Sequence, residues 1–480
     1  MVNQALTQRK EYYKTEIELN RIECRGRIYL EKLGVTSSSE LLNISSLYKR
    51  RYIMHIKPLL LSLFFLGFTG LLFANEQTIS FTQNDPPHSG ITLSKAIPKE
   101  GEPLSIRVNV TNSINKEMKG VEVRFFHIEK ETGTESTIGR QFITLSAGPS
   151  TTLVEQKWNA PENGFYLIRV LLDPENKISP SNNAKKMEQE VAIVAKQLHF
   201  HFWDAPKWMK YPTIVMCNKQ EELDYWKMRG VIPARWERGI KGRKDNWDME
   251  KYVSRWTSHV KMGWPAICID EFGRGTSVTD AYMRSALVES KKIVPDLFIS
   301  LWITGIGDSP EEILKTSADL VMIERYKESF VGYIGFNQQW EKAVSMGLEK
   351  NSILCLGLGR WITTEQELIN QMRYIKKLQP PMPGVGFFGS AADHIYQAVD
   401  RAIYDYFLKP VLWIDKTESG DAVIVNTGGM DAKKIVITYA QGAMKIGVPL
   451  LKAGESIILH IPASHAEIII EPSEFYSVLK

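Results

Sequence analysis

The chain has 480 residues, of which 44% are hydrophobic and 24% are charged, and its net charge is +4. This length suits two or three globular domains, and the composition is ordinary for a folded protein. Because the charge is small and no basic stripe is interleaved with aromatic residues, the sequence gives no reason to expect a nucleic-acid partner.

The chain has four cysteines, Cys24, Cys217, Cys268 and Cys355. The last three lie in apolar, strand-like segments, and none of the four has CxxC spacing. Such cysteines are predicted to be buried free thiols, so neither a disulfide framework nor a zinc site is indicated. No metal or other cofactor is expected.

An apolar segment, residues 59–74, follows the basic start Met54-His-Ile-Lys-Pro. A basic start, an apolar centre and a small residue before Asn75 are typical of a secretory signal peptide, here residues 54–74 with cleavage after Ala74. A run of about sixteen apolar residues is short for a membrane span, although an N-terminal membrane anchor is the alternative. The sequence therefore predicts a secreted, periplasmic or cell-surface protein without stable membrane insertion once the signal is removed.

Residues 1–53 precede this predicted signal peptide. They are polar, show only weak helical periodicity and include Arg50-Arg51. We expect translation to start at Met54 and the earlier segment to be a gene-start error. The alternative is a genuine cytoplasmic tail.

Residues 85–195 contain segments in which apolar and polar residues alternate, separated by Gly, Pro and Asn. A period of two predicts antiparallel strands, and the spacing of these strands suits a small β-sandwich. The predicted strands are residues 104–110, 121–126, 152–158 and 165–172, with a closing strand after them.

The details of this segment resemble a CARDB-type module, an Ig-like domain common on bacterial secreted proteins. The matching residues are Gly101-Glu-Pro-Leu-Ser-Ile-Arg-Val-Asn-Val-Thr-Asn112, residues 164–170, and residues 170–178 with Asn182-Asn183. Pro180-Ser181 stands where such modules usually carry an acidic residue before the paired asparagines. The resemblance implies a bacterial protein in which this module is a spacer or an adhesion domain, without catalysis.

From residue 197 the pattern changes to short apolar strands followed by helical segments. The predicted strands are residues 198–204, 213–217, 231–237, 265–273, 297–303, 319–326, 352–359 and 384–389. The predicted helices are residues 221–229, 249–262, 280–293, 309–316, 338–346, 365–378 and 393–407. Eight repeats of this kind, without a dinucleotide glycine fingerprint, predict a (β/α)8 TIM barrel over residues 197–409.

Residues 410–480 return to strand patterns and predict a small C-terminal β-domain. The predicted fold is therefore multidomain, with an N-terminal β-sandwich, a central TIM barrel and a small β-domain at the end. This order of modules resembles extracellular glycoside hydrolases. The resemblance is one of architecture, which does not fix function, and no specific hydrolase family is identified.

Reactive groups in such a barrel lie where its strands end. Carboxylates, arginines and aromatic residues collect at these positions and predict a pocket there. The strand-end residues are Trp203, Asp204, Asn218, Arg235, Glu237, Asp270, Glu271, Trp302, Glu324, Arg325, Tyr326, Arg360, Trp361 and Ser390. The alternative is that the charged ones form salt bridges that cap the barrel, such as Arg235 with Glu237.

Glycosidic cleavage needs two carboxyl groups that flank the scissile bond. In one assignment Glu271 is the general acid or acid/base and Glu324 is the nucleophile or base. In the other, which resembles α-galactosidase-like barrels, Asp270 is the nucleophile and Glu324 is the acid. Strand alternation puts Asp270 and Glu271 on opposite faces, so only one is expected to point into the pocket.

Other strand-end residues are predicted to bind the carbohydrate substrate. Flat tryptophan faces suit sugar rings, although any one tryptophan can simply pack. Arg235, Arg360 and Tyr326 suit the lowering of a carboxyl pKa or the binding of an acidic sugar. The predicted substrate-binding set is Trp203, Asp204, Asn218, Arg235, Glu237, Trp302, Tyr326, Arg360 and Trp361.

The sequence thus predicts a secreted glycoside hydrolase that acts on a poly- or oligosaccharide. One alternative is a metal-dependent enzyme, because His199-Phe-His201 resembles the HxH of amidohydrolase barrels. That family also needs histidines after the fifth and sixth strands, where this chain has Trp302-Ile-Thr304 and Glu324-Arg-Tyr326. The other alternative is a non-catalytic carbohydrate-binding or adhesion protein, in which two carboxyl groups would not face a common cleft.

Overall fold

A computed structural model describes residues 79–82, 90–178, 185–238, 247–273, 278–308, 311–326, 333–439, 441–469 and 475–479. The predicted upstream segment and signal peptide, residues 1–74, lie outside this set. All described residues belong to one compact unit, Thr78–Lys480. Within them, no helix has the length and apolar character needed to cross a membrane.

The first part of the unit is a β-sandwich with two sheets of four strands each in the described residues. Its period-two alternation buries Val108, Phe125 and Ile168 between the sheets, each at most 1% exposed. One sheet contains β1 (Ile79–Phe81), β2 (Ile91–Leu93), β3 (Pro103–Asn112) and β6 (Ser150–Asn159). The other has the order β5-β4-β7-β8 and contains β4 (Met118–Glu129), β5 (Glu135–Leu145), β7 (Gly164–Leu172) and β8 (Lys185–Ile193).

The centre is a closed barrel of eight parallel strands. Each strand pairs with the next along the chain, and the last closes the barrel against the first. Their sequences are nearly continuous apolar runs because helices cover parallel strands from outside. The strands are β9 (His199–Phe202), β10 (Ile214–Cys217), β11 (Ile232–Glu237), β12 (Ala266–Ile269), β13 (Phe298–Ile303), β14 (Leu320–Glu324), β15 (Ser352–Gly357) and β16 (Gly384–Phe388).

In the described chain one α-helix follows each of the strands β10 to β16. Side chains cap several of these helices: Asp248 accepts from the Lys251 amide at the start of the second, and Thr364 forms a capping box with Glu367 at the sixth. The helices are α1 (Gln220–Met228), α2 (Met249–Lys261), α3 (Val278–Ile293), α4 (Glu311–Thr316), α5 (Ile334–Ser345), α6 (Glu365–Lys376) and α7 (Asp393–Ile403).

The first predicted strand–helix repeat differs from the others. Residues 203–213, between β9 and β10, contain no helix. The outer face of β9 is covered instead from the far end of the barrel sequence: the ring of Phe407 lies 5.5 Å from that of Phe200, edge to face. Phe407 belongs to a π-helical turn, Tyr404–Leu408, which directly follows α7. This turn packs where the missing helix would lie.

Residues after the barrel form two further sheets. Leu412, Ile424 and Ile435 lie in the apolar core between them, each fully buried. One sheet has the order β21-β18-β17-β23 and contains β17 (Val411–Lys416), β18 (Asp421–Asn426), β21 (Ser456–Pro462) and β23 (Ser477–Leu479). The other has the order β20-β19-β22 and contains β19 (Ala432–Tyr439), β20 (Met444–Leu451) and β22 (Glu467–Ile469).

The start of β7 joins all three parts of the unit. The ring of Phe165 lies 4.8 Å from that of Tyr404, after the last barrel helix, and 6.5 Å from that of Phe475. Beside it, the Asn163 side-chain oxygen accepts from the Asp431 amide at 2.7 Å. The sandwich is therefore packed against the rest of the chain through specific contacts.

Candidate functional site

Two cysteines identify the inner face of the barrel. Cys268 on β12 and Cys355 on β15 are both fully buried, and these strands are not neighbours. Burial chiefly raises the pKa of the Cys355 thiol, and the charges of Glu324 and Cys268 raise it further. The two thiols thus lie within electrostatic range of each other, which is consistent with both pointing into the barrel. Because side chains two residues apart share a face, Asp270 points to the same side as Cys268.

A carboxyl group from each of two strands lies near Tyr326 at the carboxyl end of the barrel. Burial raises the pKa of Tyr326 far above its ordinary value, and the charges of Glu324, Cys355 and Asp270 raise it further. Asp270 follows β12 and Glu324 ends β14, so they come from non-adjacent strands. Both carboxyl groups therefore lie within electrostatic range of Tyr326, whose phenol stays neutral.

Asp270 is the carboxyl group with the clearest electrostatic perturbation in this site. Burial, and then the charge of Glu271, raises its pKa to about 6. Glu271 itself has a φ of 49°, in the left-handed region that residues other than glycine rarely adopt. The chain therefore turns sharply after Asp270, and residues with such backbone angles cluster at functional sites.

Tyr326 is oriented by a tryptophan. The indole N–H of the fully buried Trp302 donates to the Tyr326 hydroxyl oxygen at 2.8 Å. An indole is a donor only, so the phenol is the acceptor in this bond and its own proton points elsewhere. Tyr326 is thereby prepared to donate to a carboxylate or to a bound hydroxyl group.

Aromatic rings cover the same end of the barrel. Phe388 is central: its ring stacks on Tyr326 at 4.9 Å with an interplanar angle of 14°, and lies 4.8 Å from Trp203. Trp203 in turn lies 5.7 Å from Trp302. The described members of this cluster are Trp203, Trp236, Trp302, Tyr326, Trp361 and Phe388.

Sequence reasoning missed Trp236 and Phe388. The signal that identifies them is strand phase: Trp236 is two residues after the inward Ala234, and Phe388 is two residues after the inward Gly386, whose Cβ position would meet the Cys355 thiol. Reading only the final residues of each strand passes over these positions.

Two predicted site residues, Arg235 and Glu237, lie on the outer face of β11 and not at the barrel opening. The Glu237 carboxylate is fully buried and accepts hydrogen bonds from Arg255 and His259 of α2, each at 2.8 Å. Burial alone would raise the pKa of Glu237, but these hydrogen bonds outweigh it and lower the pKa. The Glu237 side chain therefore holds α2 on the outer face of the barrel, although its backbone carbonyl accepts from the Asp270 amide at 2.9 Å.

Arg235 shares that outer face. Its guanidinium lies 5.2 Å from the ring of Trp264 and donates to the backbone carbonyl of Asn218. Neither Arg235 nor Glu237 reaches the barrel opening, and they do not pair with each other as the capping alternative supposed. Counting the alternation from Ala234 gives this result, because residues 235 and 237 then point outward.

The remaining strand-end residues lie around the opening or behind it. Asp204, Asn218 and Ser390 are exposed. Arg325 points toward the backbone, donating to the carbonyl of Thr304 at 3.3 Å. Arg360 is exposed, and its guanidinium lies 4.0 Å from the ring of Trp361.

The two histidines of the metal alternative lie inside the barrel. Burial lowers the pKa of His199 to about 4 and that of His201 to about 3. The His201 ring lies 5.5 Å from Trp302, edge to face, and is fully buried. No group of three or more His, Cys, Asp or Glu residues in the described chain is arranged to hold a metal ion.

A surface groove of about 440 Å³ lies elsewhere, among α2, α3 and α4. Met249, Val288 and Ile313 are among the residues that line it. It contains none of the strand-end residues, so it does not belong to this site.

No protein-family model matches the chain, and no curated protein matches it. Similar solved structures include a β-glucuronidase from Bacteroides uniformis, 11% identical, covering 80% of this chain and 59% of that one with a TM-score of 0.33. A cycloisomaltooligosaccharide glucanotransferase from Paenibacillus sp. is 9% identical, covering 82% of this chain and 68% of that one with a TM-score of 0.30.

The CARDB domain of a Pyrococcus furiosus protein is also similar: 15% identical, covering 25% of this chain and 97% of that one, with a TM-score of 0.20. The chain thus resembles both a CARDB domain and glycosidase structures, and it spans about three fifths of the β-glucuronidase. At TM-scores this low the likeness carries no argument about activity.

Proposed function

We propose that this chain is a glycoside hydrolase whose carboxyl pair is Asp270 and Glu324. Two observations support this proposal: Glu324 pairs with the inward Cys355 and Asp270 lies two residues after the inward Cys268, and both carboxyl groups raise the pKa of Tyr326. Two carboxyl groups beside rings that suit a sugar are what glycosidic cleavage requires.

The two carboxyl groups then have different roles. Asp270, whose pKa is about 6, keeps its proton in weakly acidic solution and donates it to the leaving oxygen. Glu324 attacks the anomeric carbon or activates a water molecule. Tyr326, whose oxygen already accepts from Trp302, stays protonated and donates a hydrogen bond to the charged partner or to the sugar. This differs from both sequence assignments in making Asp270 the acid.

The substrate is a poly- or oligosaccharide. The rings of Trp203, Phe388 and Trp361 are partly exposed, so they present faces on which sugar rings stack. An aromatic contact of this kind buries apolar surface of the sugar and fixes its orientation, while polar groups decide its identity.

The test is turnover on a panel of aryl glycosides and polysaccharides at pH 5. Asp270→Asn and Glu324→Gln are each expected to lower kcat by about 10²–10⁴-fold, the contribution of a positioned acid or base. Glu271→Gln is the matched control because it removes the neighbouring carboxylate; it lowers the pKa of Asp270 and should reduce turnover at this pH far less than the other two variants. Circular dichroism should show all three variants folded.

The opposite result would return the acid role to Glu271: loss of turnover in Glu271→Gln with full activity in Asp270→Asn. If the wild-type protein binds sugars from the panel and leaves every one of them intact, the non-catalytic carbohydrate-binding alternative holds. The ring cluster alone is compatible with that function, and only the carboxyl pair favours hydrolysis.

We further propose that the protein is exported, with residues 54–74 as the signal peptide. The basic start and apolar centre of that segment support this proposal. N-terminal sequencing of the protein from culture medium or periplasm is expected to begin at Asn75. Mature protein that retains residues 1–53 would contradict it.

A further inference from the structure

Arg360 is an exposed cation held at the barrel opening by an aromatic ring. Its guanidinium lies 4.0 Å from the centroid of Trp361, and Trp361 lies 4.9 Å from Tyr326. A guanidinium stacked on a ring keeps its N–H donors at its edge, where they remain able to bind in-plane oxygens. The stacking thus holds the guanidinium donors at the barrel opening, beside the aromatic cluster that contains Tyr326.

Trp361 is itself held in place. A Cβ atom at Gly357 of β15 would come within 2.7 Å of the Trp361 ring, so only glycine leaves room for the ring at this position. The ring also lies 5.7 Å from Phe388. Arg360 therefore stacks on a fixed surface.

No acidic side chain in the described chain pairs with Arg360. Its ring contact is its only interaction with the described residues, whereas Arg107, Arg124, Arg169 and Arg255 each pair with a glutamate. This is unusual because the same end of the barrel carries Asp204, Asp270, Glu271 and Glu324. A fork of donors that is fixed and has no acidic partner is ready to bind an anion from outside.

The other groups considered for an acidic sugar do not serve. Arg235 lies on the outer face of the barrel, where it contacts Trp264 and the Asn218 carbonyl. Tyr326 is neutral, because burial and nearby charges raise its pKa. Of Arg235, Tyr326 and Arg360, it is Arg360 that is both positively charged and located at the barrel opening.

We propose that Arg360 binds an anionic group of the substrate, so that the sugar chain carries a carboxylate or a sulfate. Both groups present paired oxygens that match the planar fork of arginine, and Trp361 offers the adjoining face to the sugar ring. This inference rests on the proposed function, because the same opening must receive the saccharide.

The experiment measures binding in the Asp270→Asn variant, which keeps the saccharide intact. Isothermal titration calorimetry compares a uronic-acid disaccharide, a sulfated disaccharide and their neutral counterpart. One anionic ligand is expected to bind roughly tenfold more tightly than the neutral one, as one charge-assisted contact provides. Which of the two binds more tightly identifies the anionic group.

Adding Arg360→Gln should remove this preference, and adding Arg360→Lys should keep only part of it because lysine lacks the fork. The matched control is Arg140→Gln, since Arg140 is also an exposed arginine over a ring, that of Phe142 in the sandwich at 5.5 Å. The Asp270→Asn protein that also carries Arg140→Gln should prefer the anionic disaccharide as strongly as Asp270→Asn alone does.

Equal binding of neutral and anionic sugars, or a preference that survives Arg360→Gln, would overturn the inference. These outcomes are separate from those of the proposed function. Cleavage of sugars together with equal binding of the neutral and anionic ligands rejects the anion site and keeps the hydrolase. An Arg360-dependent preference with no cleavage of any sugar rejects the hydrolase and keeps the anion site.

Discussion

At the scale of single residues, one carboxyl group of the site raises the pKa of another. Glu271 is not placed with the Asp270–Glu324 pair in our proposal, yet its charge is the second cause of the raised pKa of Asp270. Its left-handed backbone, with a φ of 49°, keeps it directly beside Asp270 while the chain turns away from β12. The Glu271 carboxylate thus raises the pH at which Asp270, the proposed acid, loses its proton.

Replacing Glu271 with Gln removes that negative charge, so the charged form of Asp270 becomes less costly and its pKa falls. Because the acid must hold its proton to act, the alkaline limb of the kcat/KM profile, near pH 6 in the wild type, is expected to move to lower pH. The measurement is a pH–rate profile for both proteins. A limb that stays in place, or moves upward, would show that Asp270 is not the acid.

The choice between Asp270 and Glu271 illustrates what sequence reasoning can and cannot reach. The pattern identifies the strand and the carboxyl groups that follow it, since an apolar run ends at Ile269. It does not give the phase of the alternation, because both residues lie beyond the last strand pair. Phase comes from tertiary contacts, here the inward Cys268. The same ambiguity placed Glu237 in the site, although its side chain points outward and bonds to α2.

At the scale of elements, strands with strong apolar patterns were predictable and weakly patterned ones were not. The barrel strands differ from their predicted bounds by a few residues, because their burial on both faces makes continuous apolar runs. β5 went unpredicted for a physical reason: it is largely exposed, so it lacks the clean alternation of buried and exposed residues that marks a half-buried strand.

No helix was predicted between the first two barrel strands, and residues 203–213 contain none. What covers β9 in its place was beyond reach, because that cover comes from residues about two hundred positions later in the chain. Only long-range packing shows that the π-helical turn covers that face.

Gly357 gives a prediction about β15. Replacing it with Ala places a methyl group 2.7 Å from the Trp361 ring and 2.9 Å from the Tyr326 Cβ atom, so both rings must shift. We expect saccharide affinity to fall about tenfold and the free energy of unfolding to fall by about 1–3 kcal/mol, the usual cost of overpacking. Calorimetric titration and denaturant unfolding measure these.

The control is Gly447→Ala in β20, where a Cβ atom meets no heavy atom within 4 Å. It should leave both quantities nearly unchanged. Full affinity in the Gly357 variant would mean that Trp361 does not need its observed position to bind sugar.

At the scale of the whole molecule, the sandwich is part of a packed unit, although its resemblance to a CARDB module implied a spacer or an adhesion domain. Phe165 contacts Tyr404 and Phe475, and Asn163 bonds to the backbone at Asp431. Contacts of this kind transmit stability between modules, so the three parts are expected to unfold in one cooperative transition.

Phe165→Ala tests that coupling, because it removes the ring that all three parts share. We expect a loss of about 3 kcal/mol in the free energy of unfolding and a calorimetric transition that separates into two. Phe142→Ala is the control: Phe142 is also a sandwich phenylalanine but is 63% exposed, so its loss should be within about 0.5 kcal/mol. A single, unshifted transition in Phe165→Ala would show that the parts are not coupled through this ring.

The cover of β9 by Phe407 has a consequence for how the protein is made. During synthesis β9 emerges early, yet both its pairing partner β16 and its outer cover are encoded near the end of the barrel sequence. A nascent chain must therefore carry the apolar edge and face of β9 uncovered until Leu408 has left the ribosome. Export in the unfolded state, or a chaperone that shields this strand, meets that requirement.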